Sequence, residues 1–514
     1  MRKSRLVALV CLALLAWSAG LAIGVAGPDI AGTPRPIRVS GSSPFAACVA
    51  DGPGISYVDA AVEPWVAVNP TAGGSAANVV AVWQQDRWSN MGARGLVAGY
   101  SFDGGSRWAQ TPLPFSACAP GGLPFPRATD PWVSFGPDGT AYAVAISLSV
   151  PGPDLLPNDS AVAAATSTDG GRTWRNLRVI GADRGTSQFF NDKATVTADP
   201  ARPGVAYVIW QRLDASDPGF FTVAAWLSET EDGGGSWSEP RVVARPGPYN
   251  EAFGNRILID PRTGTLYNVF NWIIRSGVRP SPEHENNVAF QKSTDGGETW
   301  SEPLIITPLQ TVGVVDSGTG AAVRTASRIP SPAIDGRTGR LYVAWQDARL
   351  NAGQYDEVLI CSSDDGGASW TPPVRVSASN GGAAFVPSLS IGRAGLLGAT
   401  YYAFRSPAAE TEGSLTDYWL TVSADDGASF GDAIRLGQPF DLRAAPDAGG
   451  YFVGEYQGLA GLDSGFLAVF VQNRPGREPV HTDIVATTIR PQPQLVRWGG
   501  WPAWLGDARG PGVP

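Results

Sequence analysis

The chain has 514 residues, with 38 Lys and Arg set against 47 Asp and Glu for a net charge of −9. That acidic balance excludes an electrostatic grip on nucleic acid, and nothing beyond the N-terminus is apolar for long enough to cross a membrane. Only three lysines occur, Lys3, Lys193 and Lys292, so nearly every cation is an arginine, the better shape for a bidentate hold on a carboxylate.

Residues 1–26 open with Arg2, Lys3 and Arg5, continue through an apolar run from Leu6 to Trp17, and place Gly24 and Ala26 at the −3 and −1 positions of a cleavage site. This reads as a secretory signal peptide, the alternative being an uncleaved N-terminal anchor. Val10 stands before Cys11 where lipidation wants a small residue, so no lipid anchor is expected. Cleavage would remove three positive charges and no negative one, taking −9 to −12. Of the three remaining cysteines, Cys361 lies in an expected strand and reads as a buried thiol.

From Pro36 onward one unit recurs. Its first strand is apolar at alternate positions, and its second ends in an aromatic followed by polar residues. The pairs are Glu63–Val68 with Val79–Trp83, Asp130–Phe135 with Ala141–Ile146, Lys193–Ala198 with Ala206–Trp210, and Asn255–Ile259 with Leu266–Phe270. Ile329–Ile334 with Leu341–Trp345, Val386–Ile391 with Gly398–Tyr402, and Gly454–Leu459 with Gly465–Phe470 complete seven.

Six of the seven are followed by a turn motif: Ser101–Trp108, Ser167–Trp174, Glu231–Trp237, Ser293–Trp300, Ser362–Trp370 and Ser423–Phe430. The Asp accepts backbone N–H bonds, the glycines take positive φ, and the closing aromatic is buried. A period of roughly 65 residues with such a signal indicates a repeat architecture. The seventh unit has a third strand, Asp483–Ile489, but no fourth. Pro36–Ser40 resembles Pro373–Ser377, a fourth strand of unit five, so the N-terminal strand is expected to close the last unit.

These motifs are Asp-box (BNR) repeats, and the chain resembles the sialidase-like superfamily. The resemblance implies an all-β propeller of four-stranded antiparallel blades; the count of units makes it seven-bladed over residues 36–490, where sialidase catalytic domains have six. It also implies a structural role for Asp103, Asp169, Asp232, Asp295, Asp365 and Asp426, on the face away from the active site. Pro44–Cys48 and Pro114–Cys118 differ at a single position and fall in neighbouring blades, so Cys48 and Cys118 are expected to form a disulfide, the alternative being two separate loop cysteines. Residues 491–514 form a Pro/Gly/Trp-rich tail without periodicity.

Strand starts and ends converge on a central funnel carrying Glu63, Asp130, Asp192, Lys193, Arg256, Arg328, Glu455 and Tyr456, with Arg87, Arg349 and Arg405 from the second strands. They are either ligands or a mutually neutralising rim. Ser327–Pro332 contains Arg-Ile-Pro and resembles the start of a sialidase domain. Carried over, Arg328 becomes a clamp arginine for a substrate carboxylate, Asp356 the acid/base and Arg349 a support. Arg256 and Arg405 are the other clamp candidates, with Glu455 and Tyr456 as the nucleophile pair. Here four boxes precede that motif, and adjacent residues on a strand point to opposite faces.

The first functional reading is thus a secreted sialidase-like glycoside hydrolase of exo-α-sialidase type. The second is a non-catalytic propeller that binds a glycan or protein, and the third an Asp-box hydrolase of another substrate class using carboxylates such as Asp130, Asp192 or Glu455. A monomer acting on a glycan or glycoconjugate is expected. With His284 and His481 far apart no zinc site is visible and no cofactor is required, a Ca²⁺ ion on loop oxygens being left open.

Overall fold

A computed structural model describes residues 34–490 except 50–51, 74–76, 153–155, 276–283, 379–380, 393–394, 406–414 and 474–479. The expected signal peptide and tail lie outside the described residues. Seven four-stranded antiparallel sheets follow one another. Sheet one is Ala61–Val68, Val79–Arg87, Ala93–Ser101 and Ala109–Leu113; sheet two is Arg127–Phe135, Ala141–Leu148, Ser160–Ser167 and Arg175–Asp183. Sheet three is Phe189–Ala198, Ala206–Asp214, Thr222–Thr230 and Arg241–Ala244; sheet four is Glu251–Ile259, Leu266–Arg275, His284–Ser293 and Leu304–Pro308. Sheet five is Ser331–Ile334, Leu341–Asp347, Glu357–Ser363 and Val374–Arg375; sheet six is Ala384–Ile391, Leu397–Phe404, Leu415–Ser423 and Ile434–Asp441. Sheets one and two touch through a single residue pair, Ala93 with Ala128, as do three and four through Val223 with Glu251.

Sheet seven joins the two ends of the described chain. Gly458–Leu462, Gly465–Asn473 and Thr482–Ile489 are completed by Ile37–Arg38, with Ile37 opposite Ala486 and Arg38 opposite Val485. Arg38 also donates to Asp483 at 2.9 Å. Cys48 and Cys118 form a disulfide that ties the loop after this strand to the loop after the first box. Cys361 is buried and free.

The core lies between sheets. Val80, Val82 and Leu96 of sheet one meet Val133 and Ala143 of sheet two, and comparable clusters fill each later junction. One larger cluster spans sheets six, seven and one. The first strand of each sheet lies against the first strand of the next, and Gly458–Leu462 lies against Ala61–Val68, so the contacts return to their start.

Each box uses one bonding scheme. In the fourth, Ser293 Oγ donates to Asp295 at 2.7 Å and accepts from Gly297 N, while Asp295 accepts from Thr299 N at 3.0 Å. The second glycine sits tight against the preceding sheet: a Cβ on Gly171, at φ 93, would lie 2.6 Å from Val80. The sixth box corrects the sequence reading. Asp425, not Asp426, accepts from Ser423 Oγ and Ser429 N, and Asp426 occupies the first-glycine position at φ 58. The doubled Asp hid the register, because aspartate tolerates left-handed backbone when its short side chain is polar.

Register places the boxes and the funnel at opposite strand ends. In sheet one Val68, Val79 and Ser101 pair at the box end, whereas Ala61, Gln85 and Gly95 pair at the other. Near that other end the first strand bulges in sheets one, two, three, four and six, with left-handed backbone at Glu63, Asp130, Lys193, Gly254 and Val386. A bulge adds a residue to one strand and re-aims its side chain.

Candidate active site at the hub

Three of those bulges carry charge. Glu63, Asp130 and Lys193 have φ of 59°, 52° and 53°, conformations that cost energy in non-glycine residues and that the surrounding sheet must hold in place. In sheets one and two the strained acid is followed by the same two residues, Glu63-Pro-Trp65 and Asp130-Pro-Trp132. Lys193 Nζ bridges Asp130 at 3.3 Å and also pairs with Glu455. Glu455 accepts from Arg324 Nε at 2.8 Å, and its own N–H donates to Glu63 at 3.1 Å. Gln84 donates to the other oxygen of Glu63, and Gln211 donates to Asp192 at 3.3 Å.

Four carboxylates thus share a site with Lys193 and Arg324, and their charges separate. Burial raises Glu63 from 4.5 to about 7. Burial, working against Lys193 and with the hydrogen-bonded Asp130, raises Asp192 from 3.8 to about 8. Burial alone would raise Glu455 too, but Arg324 and then Lys193 override it and hold it well below the usual carboxylate range. Lys193 stays charged because Asp130 and Glu455 outweigh its burial. Paired groups pushed apart in this way are the mark of acid and base roles.

A cavity of about 350 Å³ opens onto this cluster, lined by Glu63, Asp130, Asp192, Lys193, Arg324 and Arg87, with Phe190 and Phe452 as apolar walls. Glu455, buried and outside that lining, anchors the two cations. Arg324 and Phe452 were not legible as site residues. Arg324 comes from the long segment between sheets four and five, which forms a small hairpin, Val314–Val315 with Ala322–Val323, and pairs onto Tyr451. Nothing local in the sequence says that this loop reaches the hub.

The expected arginine clamp is not assembled. Arg349 is held by Asp347 at 2.7 Å, and Arg405 by Asp417 at 2.9 Å, each on its own sheet. Arg256 stacks over Trp65 and Trp132, 5.0 and 4.5 Å from their ring centroids. Arg328 is half-buried and makes no side-chain hydrogen bond or ion pair among the described residues. Asp356 has both oxygens engaged, by Thr311 Oγ1 at 2.6 Å, Val312 N at 2.8 Å and Gln346 at 3.1 Å. That arrangement secures the Arg324 loop, and burial raises the Asp356 carboxyl. Glu455 and Tyr456 lie in the bend before Gly458–Leu462 rather than in the expected strand, and they part there: Tyr456 turns to the indoles of Trp65 and Trp132, and its hydroxyl donates to Pro131 O at 3.2 Å. Burial lifts that phenol well above its ordinary value, which works against a nucleophilic role.

No family model matches the chain, and no curated protein sequence matches it. Among solved structures it is similar to a protein of unknown function from Dyadobacter fermentans, at 16% identity over 85% of this chain and 97% of that one, TM-score 0.46. It is similar to a Hadza microbial sialidase at 15% identity over 82% and 75%, TM-score 0.45. It is also similar to an α-L-arabinofuranosidase from Fusarium graminearum at 14% identity over 72% and 98%, TM-score 0.42. At this level of likeness the fold is read from the chain's own sheets and the chemistry from its own side chains.

Proposed function

We propose that this chain is a secreted, seven-bladed Asp-box propeller that hydrolyses glycosidic bonds in a neutral carbohydrate at the hub pocket. The observation that carries the reading is the meeting of Glu63, Asp130 and Asp192 in one cavity, two of them held protonated near neutral pH. Secretion rests on the N-terminal segment, with which a disulfide accords. The closed wheel rests on the sheet-to-sheet contacts and on the shared seventh sheet.

Glycoside hydrolysis needs one carboxyl to protonate the leaving oxygen and one carboxylate to meet the positive charge that develops on the sugar. Glu63, oriented by Gln84, is the proton donor. Asp130 is the carboxylate facing the reacting carbon, oriented by Lys193 and by a hydrogen bond from protonated Asp192. Phe190 and Phe452 give a sugar ring apolar faces and exclude water. A sialoside would need free arginines for its carboxylate, and here Arg324 is bound to Glu455 while Arg87 donates to Gln84 and Gly92 O.

The test is hydrolysis of a panel of chromogenic glycosides, neutral pentosides and hexosides beside a sialoside. Glu63→Gln and Asp130→Asn are expected to lower kcat about a thousand-fold on a neutral glycoside. Arg328→Ala and Asp356→Asn are expected to leave the chemistry unchanged. Turnover of the sialoside alone, lost in Arg328→Ala, would restore the sialidase reading. Saturable glycan binding without turnover would make the protein a binding module.

A further inference from the structure

Just past the bulges, the first strands bring residues of equal register around the channel: Trp65, Trp132, Thr195 and Arg256 from sheets one to four, and Ser331 and Ser388 from sheets five and six. Trp65 and Trp132 stack with centroids 3.6 Å apart. Arg256 reaches past the small Thr195 to lie over both indoles. On the far side of this aromatic plug lies a second chamber of about 220 Å³. Only a gap of about 10 Å³, room for one water, lies between Arg256 and the Asp130–Lys193 side. A sugar in the acid pocket therefore does not reach this guanidinium.

Arg256 is 7% exposed and has no ion pair or side-chain hydrogen bond among the described residues. Among the described residues it is also the one charged group lining the chamber. Removing a cation from water costs several kcal/mol, whereas cation–π contacts return about 2 kcal/mol at most when desolvated. The indoles alone do not offset the burial. Thr195 and Thr197 spend their hydroxyl protons on Asn255 O and Ile257 O. Ser134 Oγ accepts from Ala198 N, which leaves its own proton to donate into the chamber.

We propose that this chamber binds a small monovalent anion of the halide class, held by Arg256 and the Ser134 hydroxyl. The remaining walls, among them Val196, Ile257 and Leu258, are apolar, which favours a weakly hydrated monoanion over sulfate or phosphate. The site is independent of the carbohydrate reading, since it lies across the plug from the acids.

Two measurements test it on the full mature protein. In thermal unfolding at constant ionic strength, replacing sodium gluconate by chloride or bromide is expected to raise Tm saturably by about 2 °C. The rise is expected to vanish in Arg256→Gln. An equal rise in that variant, or none in the wild type, overturns the proposal. Should the variant fail to fold, crystals of the wild type grown in sodium bromide decide: an anomalous peak beside Arg256 is expected, and its absence overturns the site.

Discussion

At the residue scale the hub is a problem in proton placement. Glu63 and Asp192 have folded values raised to about 7 and about 8 from 4.5 and 3.8, so they favour the fold fully below those lower values and lose that contribution as pH rises through 7 and 8. Glu455 is depressed, so its contribution is present above 4.5 and is lost as pH falls. From these three groups stability is therefore expected to be greatest near about pH 4.5 and to decline as pH rises toward 7 and 8. Glu63→Gln should flatten the alkaline side of a Tm-against-pH curve, and an unchanged alkaline decline would show that Glu63 is not the titrating group. Activity should fall above about pH 7 as the proton donor ionises. Glu63, Asp130 and Asp192 stood out in the sequence as strand-start charges. The left-handed backbone of Glu63 and Asp130 and the raised carboxyls of Glu63 and Asp192 did not, because both come from the packing of one sheet against another.

At the scale of the element, the box is a local device and was almost wholly legible. Ser, Asp, two glycines and an aromatic at fixed spacing state the turn without help from the rest of the chain, because the donors and acceptors lie within a few residues. The sixth box is the exception, where two aspartates stand in line and only the hydrogen bonds say which closes the turn. Asp425→Ala is expected to lose about 1 kcal/mol, since the turn N–H and hydroxyl groups lose their acceptor. Asp426→Gly should stay within about 0.5 kcal/mol of the parent or gain slightly, since glycine takes positive φ without steric cost. Urea unfolding of the two variants reads the difference, and the reverse order would return the role to Asp426.

For the molecule as a whole, the seventh sheet is the seam. Ile37–Arg38 pairs across more than four hundred residues with Thr482–Ile489, and Cys48–Cys118 secures the adjoining loops. Replacing both cysteines by serine should cost up to about 4 kcal/mol in the chain-entropy view of a cross-link spanning 70 residues. The measurable outcome is a lowered Tm that reductant lowers no further. A Tm insensitive to both treatments would mean that the strand pairing alone holds the seam.

The repeat count, the strand pairs, five of the six boxes, the closing strand and the disulfide partners were contained in the sequence. Each is written in local periodicity or in a duplicated peptide, which needs no knowledge of distant neighbours. Only the tertiary structure decided which funnel charges meet. Arg349 and Arg405 were claimed by carboxylates of their own sheets, Asp356 was drawn into anchoring a loop, and Arg324 was delivered from that loop to Glu455. The reason is physical: a side chain's partner is set by where bulges and long loops aim it in three dimensions, and buried charge is stabilised by whichever opposite charge the fold brings nearest.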